Sequence, residues 1–152
     1  MSLTVETIPT KPYMDQKPGT SGLRKKTAVF MNEPHYTENF IQAMLDAIPE
    51  GSKDATLVVG GDGRFYNDVV LNLIAQIGAA NGLKKLIIGQ HGLLSTPAAS
   101  HVIRSYHDKV TGGIILTASH NPGGPENDMG IKYNLANGGP APESVTNAIW
   151  EV

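Results

Sequence analysis

At 152 residues, with 40% hydrophobic and 17% charged residues, the chain has the size and balance of one globular domain with a substantial core. A formal net charge of −2 argues against nonspecific nucleic-acid binding, which rests on clustered Lys and Arg, and the absence of cysteine excludes disulfides and thiolate metal sites. The N-terminus, MSLTVETIPTKPYMDQKPG, lacks the apolar segment of a secretion signal, and no run approaches the ~18 apolar residues of a membrane span, so a soluble, cytoplasmic protein with no membrane partner is expected.

Residues 1–22 carry Pro9, Pro12 and Pro18 and end in Lys17-Pro18-Gly19-Thr20-Ser21-Gly22, a loop in which two glycines bracket two hydroxyls. A strand is expected from Leu23 to Phe30, broken by Asn32-Glu33-Pro34. From Thr37 to Ile48, the residues Phe40, Ile41, Met44, Leu45 and Ile48 recur at three- and four-residue steps, the stripe of an amphipathic helix with Thr37 as its expected N-cap. Thr56-Leu57-Val58-Val59 reads as a buried strand running into Gly60-Gly61-Asp62-Gly63-Arg64. A second helix follows, with Val69, Val70, Leu73, Ile74 and Ile77 on one face, and Gly82 stops it.

Leu86-Ile87-Ile88 is the next strand, expected to close at Gly89-Gln90-His91-Gly92. Ser95-Thr96-Pro97 supplies a hydroxyl cap and a first-turn proline for a helix lined by Ala98, Val102, Ile103 and Tyr106. Ile114-Ile115-Leu116 is a short apolar strand cut off at Thr117-Ala118-Ser119-His120-Asn121-Pro122-Gly123-Gly124. A strand near Ile131 to Leu135 and a final helix from Pro140 through Val145, Ile149 and Trp150 complete the pattern, which is still running at Val152 and reads as cut short there. Alternating strands and helices with short connections define an α/β fold: a mixed, mainly parallel sheet with helices on both faces. Strands near Leu23, Thr56, Leu86 and Ile114 are expected to be joined at one edge by an antiparallel strand around Ile131.

Ser119 stands at the carboxyl end of a strand, where open α/β sheets place their ligand sites. Its neighbours all favour turns, so local composition fits an ordinary turn equally well. Of the three arginines, Arg24 and Arg64 lie in glycine-rich turns beside strands, and a guanidinium fork next to approachable backbone amides suits an anion such as phosphate. No G-x-x-x-x-G-K-[ST] or G-x-G-x-x-G occurs, and Ser119 is not in G-x-S-x-G, which counts against a nucleotide loop and a hydrolase elbow. The five histidines show no metal-ligand spacing; His91 and His120 each follow a strand and are candidates for the rim that holds Ser119, as is Asp62.

Thr117 to Pro125, TASHNPGGP, resembles the active-serine loop of the α-D-phosphohexomutases, and the wording of Pro125 to Met129 is closest to the fungal members of the eukaryotic phosphoglucomutase branch. Asp15 to Arg24 resembles that family's amino-terminal loop, and Val58 to Arg64, Ile88 to Gly92, Ser95 to Pro97 and Gly130 to Lys132 fall in the family's order. The resemblance covers nearly all of residues 1–152 and implies the fold of the family's first domain, with the remaining domains of the full-length enzyme absent. It implies reversible conversion of glucose 1-phosphate and glucose 6-phosphate through a phosphoserine and bound glucose 1,6-bisphosphate. Carried over by position, Ser119 is the phosphoserine, His120 and Lys132 are catalytic partners, and Thr20, Ser21 and Arg24 bind the phosphosugar beside them. The family's Mg2+ lies between the serine phosphate and three aspartates, so this chain is expected to supply only the Ser119 side. The alternative is a noncatalytic relative that keeps the fold for binding or scaffolding.

Overall fold

Residues 4–152 are described by a computed structural model. In chain order they form β1 (Leu23–Lys26), α1 (Thr27–Asn32), α2 (Tyr36–Asp46), β2 (Thr56–Gly61), α3 (Asn67–Ala80), β3 (Lys85–Leu93), α4 (Thr96–Ser105), β4 (Gly112–Leu116), β5 (Asp128–Leu135) and α5 (Glu143–Glu151). The strands make one sheet in the order β1-β5-β4-β2-β3. β2 is parallel to both β3 and β4, whereas β5 is antiparallel to both β4 and β1.

Side chains alternate across a strand, so each strand divides its residues between two cores. Leu57 and Val59 of β2, Ile114 and Leu116 of β4, Ile131 and Tyr133 of β5 and Leu23 of β1 share the larger core with α1, α2, α3 and α5. Val58 and Ile115 face the other way and pack with Ala99, Ile103 and Val110. α4 is the cover on that second face, and it packs on β2 and β4. Its start is as the sequence indicates, with Ser95 Oγ accepting from Ala98 N at 3.3 Å and proline in the first turn. No helix of the described residues is long and apolar enough to cross a membrane.

Four expectations need correction. The strand from Leu23 stops at Lys26, and Thr27–Asn32 is a helix. Thr27 causes the exit: its N–H donates to Asn127 O at 2.8 Å and its hydroxyl reaches the Gly124 and Asn127 carbonyls, so the chain leaves the sheet edge. The strand at Ile131 is not an edge but lies between β1 and β4, buried along most of its length. β3 does not close at Gly89; it continues to Leu93 through a bulge that pairs Ile88 with Val59 but Leu93 with Gly61. Thr37 does not cap α2, which begins one residue earlier; its buried hydroxyl donates instead to Phe30 O at 3.0 Å.

Residues 10–16 run against α2 and α5 without regular structure. Gln16 Nε2 donates to Tyr36 O at 2.6 Å, Tyr36 OH donates to Asp15 at 3.0 Å, and Tyr13 meets the Tyr36 ring edge-on at 4.8 Å. These contacts deliver the 19–22 turn to the start of β1.

The sheet predicts its own weak and strong points. Ile114→Ala, at a site 0% exposed in β4, is expected to cost about 2–5 kcal/mol of stability, the usual range for emptying a core position. Ile88→Ala, 43% exposed on the edge strand, is expected to cost no more than about 1 kcal/mol. Urea unfolding of both variants checks the contrast.

Candidate active site

β4 is buried through Leu116, the chain stays buried at Thr117 and Ala118, and it surfaces at Ser119 and His120. Ser119 has φ 54°, in the left-handed region that a serine enters only at a cost of about 1–3 kcal/mol unless its surroundings impose it. The surroundings here are specific. Ser119 N donates to Thr117 Oγ1 at 3.0 Å, and Thr117 Oγ1 donates to Asp62 Oδ2 at 2.7 Å. The Asp62 carboxylate is in turn gripped by Arg64, through Nε at 3.0 Å and Nη2 at 2.8 Å.

Arg64 does more than pair with Asp62. Its Nη1 donates to Asp128 O at 2.7 Å and Asn121 O at 3.4 Å, and Nη2 also approaches Ser119 O at 3.4 Å. The side chain is 7% exposed. Reading Arg64 as an anion ligand is thereby overturned, since its N–H groups are engaged by Asp62 and by the loop's carbonyls. The loop is closed at its far end by Asn121 donating to Asp128 at 2.9 Å and by a Lys26–Asp128 ion pair at 2.9 Å.

The cation that reaches Ser119 comes from the antiparallel seam, which also carries a second on the same face. Arg24 of β1 pairs with Gly130 of β5, and Arg24 Nη2 donates to Ser119 Oγ at 2.8 Å. Lys132 of β5 pairs with Ile115 of β4 and therefore lies on the same face of the sheet as Arg24, away from the larger core. Two glycines allow this closeness. A Cβ on Gly130 would strike Thr117 O and stand 3.2 Å from Arg24 Cγ. Gly22, at φ 86°, lies so tightly on β5 that a Cβ would be 2.8 Å from Lys132 Cα.

Gly22 also closes the turn that carries Thr20 and Ser21, with Gly22 N donating to Gly19 O at 2.9 Å. Both hydroxyl residues are exposed at its tip, directly beside β5. The structure thus brings Arg24 to Ser119, sets Lys132 on the same face, and lays the Thr20–Ser21 turn against Lys132. His120 is exposed next to Ser119 in sequence, and no hydrogen-bond partner for its ring is found among the described residues. His91 lines a groove with Met31, Phe65, Val69 and Leu93 that Arg64 also borders. Asp62 and Thr117 hydrogen-bond to each other and, through Thr117, to the Ser119 backbone; Thr117 opens the serine motif, but nothing in the sequence indicates that its hydroxyl links Ser119 to Asp62.

Two charged groups are displaced from their ordinary behaviour. Partial burial pushes the Asp62 carboxyl up, but hydrogen bonds from Arg64 and Thr117 outweigh it and hold the group below the usual carboxylate value. Lys132 is lowered, first by partial burial and then by repulsion from Arg24. Among the described residues no three His, Asp or Glu side chains come together to hold a metal ion. The side chains of the described residues therefore do not by themselves make a Mg2+ cage.

The class this architecture defines is an α/β domain with a serine loop at the carboxyl end of β4 and two cations across an antiparallel seam. Residues 15–152 match the family described as phosphoglucomutase/phosphomannomutase, alpha/beta/alpha domain I, and the chain belongs to that family. It is 81% identical over 152 residues to phosphoglucomutase 2 of Saccharomyces cerevisiae, covering 100% of this chain and 27% of the relative. It is 63% identical over 150 residues to phosphoglucomutase of Emericella nidulans, covering 99% of this chain and 26% of the relative. Among solved structures, parafusin from Paramecium, an exocytosis-sensitive phosphoprotein and phosphoglucomutase in its open form, superposes with a TM-score of 0.87 at 47% identity, over 93% of this chain and 26% of that one. The chain spans about a quarter of the length of these relatives.

Lys132 gives this site a stability signature. Its pKa is lowered, so the folded state carries the ammonium unfavourably at neutral pH and is relieved only as pH rises through the lowered value. Lys132→Met, which keeps the stem and removes the charge, is expected to leave the melting temperature at pH 7 unchanged or raised. A thermal melt of both proteins checks it.

Proposed function

We propose that residues 1–152 form the amino-terminal catalytic domain of a cytoplasmic phosphoglucomutase that interconverts glucose 1-phosphate and glucose 6-phosphate, with Ser119 as the phosphoryl carrier. The observation that carries the proposal is the 2.8 Å hydrogen bond from Arg24 to a serine Oγ held on left-handed backbone. A serine in a strained conformation opposite a guanidinium is the kind of backbone outlier from which a functional role is inferred. The likeness to phosphoglucomutases of yeast and Emericella supports the same reading.

In the proposed cycle the phosphorylated Ser119 gives its phosphoryl group to the free hydroxyl of a hexose monophosphate. The bond from phosphorus to Oγ breaks, a bond from phosphorus to the sugar oxygen forms, and the sugar's hydroxyl proton ends on Oγ. The resulting glucose 1,6-bisphosphate reorients and returns its other phosphoryl group to Ser119 by the reverse step. Charge spreads over the transferring oxygens, and fixed cations aimed at them stabilise that state. Arg24 and Lys132 supply this charge, His120 serves the proton transfer, and Thr20 and Ser21 hydrogen-bond to phosphate oxygens from the neighbouring turn. The Mg2+ that the family implies would meet this chain only through the phosphate oxygens on Ser119, and its remaining ligands belong to the other domains of the full-length enzyme.

Three outcomes are expected. The isolated 152-residue chain is expected to show no turnover of glucose 1-phosphate in a coupled assay and no tight Mg2+ binding by calorimetry, because a single phosphate does not satisfy a cation that takes six oxygen ligands. In the full-length enzyme, Ser119→Ala is expected to abolish nearly all turnover while the fold survives, since it removes one oxygen from an exposed loop. Lys132→Met or His120→Gln leaves the carrier in place and is expected to slow turnover by about 10²- to 10⁴-fold. Steady-state rates with added glucose 1,6-bisphosphate, alongside a melt, decide; a folded Ser119→Ala enzyme at normal rate would place the chemistry elsewhere.

A further inference from the structure

We propose that Asp62, Arg64 and Thr117 act as a positioning clamp that holds Ser119 at its left-handed backbone angle and so aims its hydroxyl at Arg24. The inference rests on Ser119 being the phosphoryl carrier, and it assigns to these three residues a role distinct from phosphate binding.

The clamp holds the strained residue from both sides. On the amino side, Ser119 N donates to the Thr117 hydroxyl at 3.0 Å, and that hydroxyl spends its own proton on Asp62 at 2.7 Å. On the carboxyl side, Arg64 Nη2 approaches Ser119 O at 3.4 Å while the same guanidinium binds Asp62. The two grips meet on one carboxylate, so neither can shift without the other. Nη1 extends the hold to the carbonyls of Asn121 and Asp128, fixing where the loop leaves and rejoins the sheet. The five N–H donors of a guanidinium are rigid and coplanar, and here they meet one carboxylate and three carbonyls.

Charge alone does not explain the arrangement. A lysine at position 64 would still pair with Asp62, yet it cannot direct donors to three carbonyls in one plane. The hydroxyl of Thr117 is equally particular, because it must accept from Ser119 and donate to Asp62 together; serine can do both and valine neither. None of the three hydrogen-bonds to Arg24 or Lys132; among the described residues their side-chain hydrogen bonds are with one another and with the serine loop. Their effect on the reaction is therefore expected in the rate of the bound complex rather than in substrate affinity.

The experiment measures kcat and KM for glucose 1-phosphate in the full-length enzyme with saturating glucose 1,6-bisphosphate, for Thr117→Val, Thr117→Ser, Arg64→Lys and Ser119→Ala, each with a thermal melt. Misplacement of a reacting atom by an ångström is worth on the order of 10²-fold, so folded Thr117→Val and Arg64→Lys are expected to lose about 10- to 100-fold in kcat with KM little changed, and Thr117→Ser to recover most of the rate. Wild-type kcat in folded Thr117→Val, or in folded Arg64→Lys should the valine variant not fold, overturns the clamp. A loss that Thr117→Ser does not rescue, or one that appears chiefly in KM, overturns it as well. Normal turnover in Ser119→Ala would instead remove the carrier on which the clamp depends, and is read separately from the other three variants.

Discussion

The placement of β5 between β1 and β4 governs every feature of the site. Ile131 pairs with Leu23 on one side and Leu116 on the other, and all three face the larger core. Because strand side chains alternate, that single match commits Gly130 and Lys132 to the opposite face. A slip of one residue would drive an ammonium among Leu23, Ile114 and Leu116 and turn Ile131 outward beside Ser119. The hydrophobic demand of the core thus fixes the position of the Lys132 cation, and it does so from both neighbouring strands. Glycine at 130 is part of the same constraint, since any side chain there would collide with Thr117 O and with the Arg24 stem.

The distribution of helices completes the effect. α4 covers β2 and β4, so the β1–β5 portion of that face carries Arg24 and Lys132 toward the outside. Their neighbours on β1 are neutralised: Lys25 meets Asp15 at 3.0 Å and Lys26 meets Asp128 at 2.9 Å. Arg24 instead donates to a hydroxyl, and Lys132 has no acidic partner among the described residues. Asp62, the carboxylate tied to the serine loop, is held by Arg64. The local field is therefore positive where Ser119 surfaces, and partial burial with mutual repulsion already disfavours the Lys132 charge. Such a pair is preorganised for an anion, whose arrival would relieve the repulsion that folding imposes.

What was legible in the sequence was local. The apolar runs at Thr56 and Ile114, the Ser95 cap and the Gly82 stop need only their neighbours, and all four stand where the pattern puts them. The errors have distant causes. The strand at Leu23 ends early because Thr27 binds carbonyls that lie about a hundred residues along the chain, beyond any window of periodicity. β5 reads as a strand from its own residues, but being flanked on both sides follows from β1 returning to it. Arg64 shows the limit most clearly. Glycine, aspartate and arginine in a turn advertise donors, yet composition cannot say where donors point, and here they point inward.

That inward direction has a physical reason. The connection from β4 to β5 must leave the sheet, reverse and return, and in doing so it turns the carbonyls of Ser119, Asn121 and Asp128 toward the β2 turn. Leaving a carbonyl without a donor is costly in proportion to its burial, and here three of them, two exposed and one part-buried, are met by one cluster of donors. Arginine provides that cluster, and its charge then requires Asp62, because an unpaired guanidinium 7% exposed would be far costlier still. A buried ion pair is weak evidence for stability, since packed apolar side chains often do as well. Apolar side chains, however, have no direction, and a loop that must hold one serine in a left-handed conformation needs direction more than it needs stability. The β2 turn and the serine loop are in this sense one structure, written in two places in the sequence and joined by the Arg64 fork and the Asp62–Thr117 hydrogen bond.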